Sequence, residues 1–510
     1  MANRIVCDIP LNRAEGDLEI KVAIDDGHVV DAWSVGTMFR GFEQILVGRG
    51  AFDGLVVTPR ICGICSTTHL MAAAQALDAV AKVRPPGNAI RLRNLALMAE
   101  TVQSDVRQSV LMFLVDFANP AYANYRFHAE VVKRYAPLAG ERCIDVIKAT
   151  KYMLEIVALI GGQWPHSSYM VPGGVAYPVN GPDIVSCRHI LRNFRLWYEK
   201  NVLGCPLETW NALASVSDLD AWLADKAHRE SDVAFLLRLS KETGLDGLGR
   251  GSERFLSYGS LDLPDDTMLR SCDGGTQLIP SGLYEKGRVQ LFNPNLILEH
   301  VDHSWYADEP EPLHPSHGMT EPYASGSEGK KYSWSKAPRY DGLPAETGPL
   351  AERLIAGDPL FTDLISRRGN NLVTRQLARL TRPAITIPAM ETWLSEILEH
   401  SGSPCYTPVD ESQLEGEGAG LIQAARGALG HWVRIENGRI SHYQIITPTA
   451  WNGSPRDGEG RRGPWEEALI GTPVKDPDNP VEVGHVVRSY DPCLVCTVHR
   501  VGRSGAVLQL

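Results

Sequence analysis

The sequence predicts a mainly α protein with α+β elaborations: a large helical bundle core decorated by small antiparallel sheets. Three observations lead there. Apolar residues recur at three- and four-residue spacing through long stretches of the helical regions, about 70–240 and 347–400. Short segments near both ends instead alternate apolar and polar residues, the period of a half-buried strand. Between them, about 250–346 is too rich in Gly, Pro, Ser and Tyr for long helices and reads as an irregular or β-containing insert.

In chain order, about 4–36 reads as strands, with Asp26-Gly27 as a hairpin turn in "LEIKVAIDDGHVVDAWSVG". An Ala-rich helix follows over about 70–82. Asn88 is placed to cap a long helix running through "AIRLRNLALMAETVQSDVRQSVLMFLVDF". "RCIDVIKATKYMLEIVALIGG" is a second long helix, stopped by Gly161-Gly162, and "DIVSCRHILRNFRLWYEKNVL" a third. Trp305, Tyr306, Tyr332 and Trp334 in the insert need something to pack on, so it is no linker. Helical pattern returns over 347–400. Residues 425–450 read as a hairpin turning at Glu436-Asn437-Gly438, and the C-terminal β and metal-binding segment extends over about 425–499.

Length and composition bound the function. At 510 residues, 44% hydrophobic and 22% charged, the chain is an ordinary globular one, of two to four packed units or one large elaborated domain. A net charge of -11 argues against nucleic acid as a partner. No apolar run is long enough to span a bilayer, and the N-terminus lacks the pattern of a signal peptide. Any export would be carried by a partner.

Ten cysteines are too few for a disulfide scaffold. Cys7, Cys143, Cys187, Cys205, Cys272 and Cys405 stand singly and read as buried small hydrophobes. The other four form two C-x-x-C pairs near opposite ends, Cys62/Cys65 in "RICGICSTTH" and Cys493/Cys496 in "DPCLVCTVH". Thiolates two residues apart can reach one ion from a tight turn, and soft sulfur selects Zn, Fe–S, Ni or Cu(I). A zinc ribbon keeps its two knuckles within a few tens of residues, which these pairs are not. A thioredoxin-like redox pair would open a βαβ unit, which neither does. A large protein built around one four-thiolate site is the reading left in front.

The two motifs, in this order and at opposite ends, resemble those of the large (catalytic) subunit of nickel–iron hydrogenases. The likeness continues through "RAEG" (13–16), "RGFE" (40–43), "PHSSYMVPGGV" (165–175), "KAPRY" (336–340), "ARGALGHW" (425–432) and "TPTAWN" (447–452), and so runs along nearly the whole chain. The resemblance implies the nickel–iron hydrogenase large-subunit fold over 1–499 and the reaction H2 ⇌ 2H⁺ + 2e⁻. It implies nickel held by Cys62, Cys65, Cys493 and Cys496. Cys65 and Cys496 would bridge to an iron carrying carbon monoxide and two cyanides. His69 would hydrogen-bond a bridging sulfur, against the alternative of a merely structural histidine. Arg426 and Thr449 would donate to the cyanides, with Ala425 (where the family commonly has Pro) and Pro448 as wall. Arg426 would also assist hydrogen splitting, with Asp105 and Asp491 flanking it. Glu15 would relay the proton from Cys493; by itself, an N-terminal Glu would be a solvated surface residue. Asp17 departs from the family's His after this motif. Glu43, the carbonyl of Ile445 and His499 would bind a magnesium (or iron) ion.

The same resemblance implies that a nickel-dependent endopeptidase removes Arg500–Leu510 after His499, with nickel-insertion chaperones assisting loading. Hydrogen-sensing relatives typically lack such a tail, so a catalytic enzyme is favoured over a regulatory H2-sensing subunit. The six single cysteines have no cluster spacing, so Fe–S clusters would lie only in a partner small subunit, making an obligate heterodimer. H2 would enter by apolar tunnels. The "STTH" after Cys65 and the compact form lean towards H2 uptake. A cytoplasmic location is the default, with membrane attachment through partners or export on the small subunit's signal as the alternatives.

Overall fold

The computed structural model describes residues 5–11, 18–325 and 329–493. The N-terminal sheet is a meander of β1 (Ile5–Pro10), β2 (Leu18–Asp25) and β3 (His28–Gly36). Its turn is Asp26-Gly27, both at positive φ (48° and 71°), as the sequence requires of a two-residue hairpin. The helices that follow are α1 (Phe42–Leu46), α2 (Ser66–Ala81), α3 (Gly87–Arg107), α4 (Glu141–Gly161), α5 (Gly181–Tyr198) and α6 (Asp232–Thr243). In the insert lie β4 (Arg254–Asp262), β5 (Gln277–Glu285), β6 (Arg288–Gln290), β7 (Ile297–His300) and β8 (Ala337–Tyr340). Then come α7 (Pro349–Ile355), α8 (Leu372–Thr381) and α9 (Pro383–Glu399), and the sheet β9 (Gly416–Ala424), β10 (Gly427–Glu436) and β11 (Arg439–Ile446). Three short helices close the described chain: α10 (Pro448–Asn452), α11 (Pro464–Leu469) and α12 (Val481–Ser489).

The bundle is α3 packed on α4 and α9, with α5 against α4 and α9. One apolar core runs continuously from the N-terminal sheet to α12. α4 ends at Gly162 in a left-handed conformation, as Gly161-Gly162 foretells. The insert's aromatics pack as expected: Trp334 stacks on Phe39 at 4.8 Å between ring centres and meets Trp305 and Tyr306 edge-on.

Three local expectations are corrected. Asn88 does not cap α3, which starts at Gly87; its Nδ2 donates to the carbonyl of His400 at the end of α9. The long helix is not α throughout, because beyond Arg107 it widens into a π turn at Gln108–Phe113. There Gln108 Nε2 reaches the carbonyl of Arg488 in α12, the sort of tertiary bond that accompanies a π-bulge. The C-terminal hairpin is a three-stranded sheet. Its extra strand, β9, was hidden by its glycines, and the structure explains them. A Cβ at Gly418 would lie 2.2 Å from the carbonyl oxygen of Ala76, and one at Gly420 1.9 Å from that of Ala72. The strand is bare so that the Ala-rich α2 can lie on it. Among the single cysteines, Cys143, Cys187 and Cys205 are buried as expected, whereas Cys272 is exposed and Cys7 and Cys405 are half-buried.

Glu466 on α11 ties three regions together. Its Oε1 accepts from the backbone N–H of Ser34 and from the hydroxyl of Tyr332, both at 2.8 Å. Burial pushes its carboxyl up to about 7, against the pull of those two bonds. The folded state therefore holds this proton more tightly than the unfolded chain. Stability is greatest below the unfolded value and falls as pH rises towards 7. Glu466→Gln keeps the accepting oxygen and removes the titration. Chemical unfolding should show a shallower loss between about pH 4.5 and 7, with a gain of up to roughly 3 kcal/mol at pH 8. An unchanged pH slope would contradict this.

Candidate metal centre

The first C-x-x-C pair sits where a 3₁₀ turn (Thr58–Arg60) hands over to α2. Cys62 is in the intervening loop, and Cys65 is the N-cap of α2, where the helix dipole favours a thiolate. Cys493 arrives from the far end of the chain, just past α12. Its N–H donates to Thr449 Oγ1 at 3.1 Å, which pins it to the start of α10. Cys62, Cys65 and Cys493 pack against one another, all buried, with Ile64 beside them. Cys62 Sγ lies 3.7 Å from Cys493 Sγ. That is far beyond a disulfide's ~2.05 Å and close to the separation of two sulfurs about 2.3 Å from one ion in tetrahedral array. The two distant motifs do meet. Cys496 lies outside the described residues. Among those residues no three His, Cys, Asp or Glu side chains by themselves make a site for an ion.

Arg426 occupies a two-residue connection, Ala425-Arg426, between β9 and β10, where Ala424 pairs with Gly427. Gly427 has φ +127°, and a Cβ there would come within 2.5 Å of Thr347 Oγ1 and 2.6 Å of the Gly348 nitrogen. The tight turn against 347–348 is thus possible only with glycine. Burial works against the charge of Arg426. Asp491 and the sulfurs of Cys493, Cys65 and Cys62 outweigh it and hold its pKa well above the ordinary guanidinium value. Its Nε stands 3.2 Å from Asp491 Oδ1, yet among the described residues neither Nε nor Nη1 makes a hydrogen bond. A charged guanidinium with unfilled donors beside three sulfurs fits an anionic thiolate–metal group with polar ligands. Ala425, Pro448 and Thr449 are buried as well. Thr449 Oγ1, having accepted from Cys493, retains its own hydrogen to donate.

Of the two carboxylates expected to flank Arg426, Asp491 stands beside it. Asp105 does not: it is one layer further back, bonded to Arg382 Nε and Nη2 at 2.8 and 2.7 Å and 3.7 Å from Arg379 Nη1. Arg379 in turn lies 3.3 Å from Asp491 Oδ2. Arg382 also bonds Glu352 at 2.8 Å. Arg379, Arg382 and Glu352 escaped the sequence reading. The available signal was Arg375, Arg379 and Arg382 at four- and three-residue spacing in a segment that is otherwise apolar.

His69 is buried on the first turn of α2. Its Nδ1 shares a hydrogen bond of 3.0 Å with His431 Nε2, and His431 Nδ1 meets the Tyr443 hydroxyl at 2.9 Å. Burial lowers the His69 pKa to about 4; the nearby Cys62 opposes this and Arg40 adds to it. Beneath α2, the buried Glu100 accepts from the N–H groups of Thr67 and Thr68, the Thr68 hydroxyl and Trp164 Nε1. It caps the helix that carries Cys65.

Glu43, on α1, comes next to Ile445: its Oε1 accepts the Ile445 N–H at 3.0 Å and its Oε2 the Thr320 hydroxyl. Around it the structure adds Glu299, which accepts from Gln444 at 2.8 Å and stands 3.8 Å from Lys336 Nζ. Burial raises Glu299 to about 7; Lys336 opposes this and Glu43 adds to it. Two buried carboxylates that feel each other, Glu43 and Glu299, offer the oxygen ligands a hard cation takes. Glu15, Cys496 and His499, and the segment 500–510, lie outside the described residues.

Residues 40–124 and 136–499 match the family model described as nickel-dependent hydrogenase. The chain is 32% identical to the periplasmic [NiFeSe] hydrogenase large subunit of Desulfomicrobium baculatum, over 96% of this chain and 94% of that one. It is 28% identical to the uptake hydrogenase large subunit of Rhodobacter capsulatus, over 99% and 96%. The crystal structure of the H2-activated D. baculatum [NiFeSe] hydrogenase superposes with a TM-score of 0.82 at 31% identity, covering 98% of this chain and 100% of that one.

Proposed function

The chain belongs to the nickel-dependent hydrogenase family as a large subunit, an oxidoreductase acting on dihydrogen, and on that basis we propose that it cleaves H2 heterolytically in the uptake direction. The observation that carries this is the meeting of Cys62, Cys65 and Cys493 from opposite ends of the chain beneath the charged Arg426. Cys496 completes the set of sulfurs, all four being cysteines here. When bound, a nickel–iron centre with carbon monoxide and cyanide ligands would supply the redox chemistry and the open position for H2.

The chain's own residues do the rest. Cys493 Sγ takes the proton released when H–H parts, since a thiolate is the base at hand, and Glu15 carries that proton away. Arg426, buried and charged, would stabilise the separating charge and donate to a cyanide, and Thr449 would donate to the other. His69, with Nδ1 committed to His431, offers its second nitrogen to a bridging sulfur. Glu43, the Ile445 carbonyl and His499 would hold a magnesium (or iron) ion. Electrons leave to a small subunit bearing iron–sulfur clusters in a heterodimer, because the remaining cysteines have no cluster spacing.

The uptake direction is supported by the relatives named uptake hydrogenases. Maturation by removal of Arg500–Leu510 is supported by the family match, which stops at residue 499. H2 sensing is the second reading. Among the described residues no helix is long and apolar enough to cross a membrane. The test is H2/D⁺ exchange by the nickel-loaded heterodimer. Exchange should be present, and Glu15→Gln should abolish it while the metals stay assembled. Exchange unchanged in Glu15→Gln would remove Glu15 from the mechanism, and a nickel-loaded protein without exchange would overturn the function.

A further inference from the structure

Arg426 poses a problem of orientation. Among the described residues its Nε and Nη1 make no hydrogen bond, so its direction depends on Asp491, 3.2 Å from Nε, and on how its own backbone is held. The carbonyl of Ala425, the peptide oxygen immediately before it, accepts from Arg379 Nη1 at 3.0 Å and from Arg382 Nη2 at 2.7 Å. Both arginines are buried on α8 or its C-terminal cap. Arg379 Nη1 also reaches Asp491 Oδ2, while the other oxygen of that carboxylate stands beside Arg426 Nε. Arg382 is itself immobilised: Nε and Nη2 grip Asp105 in the two-pronged manner of an arginine–carboxylate pair, and Nη1 is taken by Glu352. Three buried arginines, 379, 382 and 426, thus face three buried carboxylates, 105, 352 and 491.

We propose that Arg379 and Arg382 are positioning residues, a clamp from α8 that sets the direction of Arg426 through the Ala425 carbonyl and Asp491. This rests on the reading of Arg426 as facing the metal group. Without the clamp, a two-residue turn has freedom to rotate the 425–426 peptide, and the guanidinium swings with it. Hydrogen bonds to an ionised donor are the strong ones, and two on one carbonyl leave that peptide a single orientation. Lysine could supply the charge of Arg382 but not its four simultaneous bonds to Asp105, Glu352 and the Ala425 carbonyl.

The experiment compares Arg382→Leu and Arg382→Lys with the parent as nickel-loaded heterodimers, in solution and in crystals. In Arg382→Leu, the Arg426 guanidinium should leave its parental place and the nickel content should be kept. The kcat for H2 oxidation should fall on the order of 10²-fold, as angstrom-scale misplacement of an active group does, with KM for H2 within about twofold. Arg382→Lys should recover only part of the rate. Should Arg382→Leu fail to fold, Glu352→Gln, which loosens one arm, should still displace Arg426 and lower kcat. An unmoved Arg426 with parental kcat in the soluble variants overturns the clamp. A parent that lacks nickel or turnover instead overturns the reading of the site, because the position of Arg426 in the crystals is measured independently of catalysis.

Discussion

Cys62→Ser is expected to give a folded chain that holds no nickel and turns over no H2. The substitution is nearly isosteric, and the buried loop around Cys62 loses one sulfur and little volume, so the melting temperature should change little. The chemistry changes completely. A serine hydroxyl is a hard, weakly acidic donor that does not replace a thiolate for a soft ion. Cys62 faces Cys493 across 3.7 Å, so its loss opens the set on the side where the two ends of the chain join. Because loading closes the site, the variant should also stay in the premature state. Mass spectrometric metal analysis per chain checks this. Nickel at the parental ratio would show that Cys62 is a bystander.

Arg426→Lys should lower kcat roughly 10²–10³-fold, about 3–4 kcal/mol of barrier, while leaving nickel in place. The size follows from the setting. The guanidinium is buried, charged and unpaired by hydrogen bonds at Nε and Nη1, so its donors are available where charge separates. A lysine ammonium keeps the charge but loses the planar fork, and its flexible stem does not hold a fixed direction. The KM for H2 should be nearly unchanged, since an uncharged diatomic makes no ground-state use of the charge. Steady-state H2 oxidation with nickel quantified in the same sample separates the two effects. A parental kcat would remove Arg426 from the reaction.

The sequence made some of this legible and hid the rest for physical reasons. Asp26-Gly27 and Asn437-Gly438 announced their hairpins because only such residues accept two positive φ angles in succession. The four cysteines announced themselves by spacing, and the resemblance of the flanking blocks brought Arg426, Thr449 and Asp491 into view before the fold placed them beside Cys493. β9 stayed hidden because its glycines answer to α2, a neighbour far away in sequence. Asn88 has the composition of a cap but spends its amide on His400, across the bundle. Asp105 was placed beside Arg426, whereas two arginines stand between them. Arg382 shows only in the spacing of Arg375, Arg379 and Arg382, and Glu352 has no motif at all. What such buried charges touch leaves no trace in the sequence, since each is explained only by the other. Glu299 and Gln444 beside Glu43 are of the same kind.

The most direct test of the central claim is X-ray diffraction from the mature heterodimer at energies bracketing the nickel and iron absorption edges. The account predicts one nickel peak among the sulfurs of Cys62, Cys65, Cys493 and Cys496, with one iron peak beside it sharing Cys65 and Cys496. A zinc signal there, or sulfurs divided between separate ions, would contradict it.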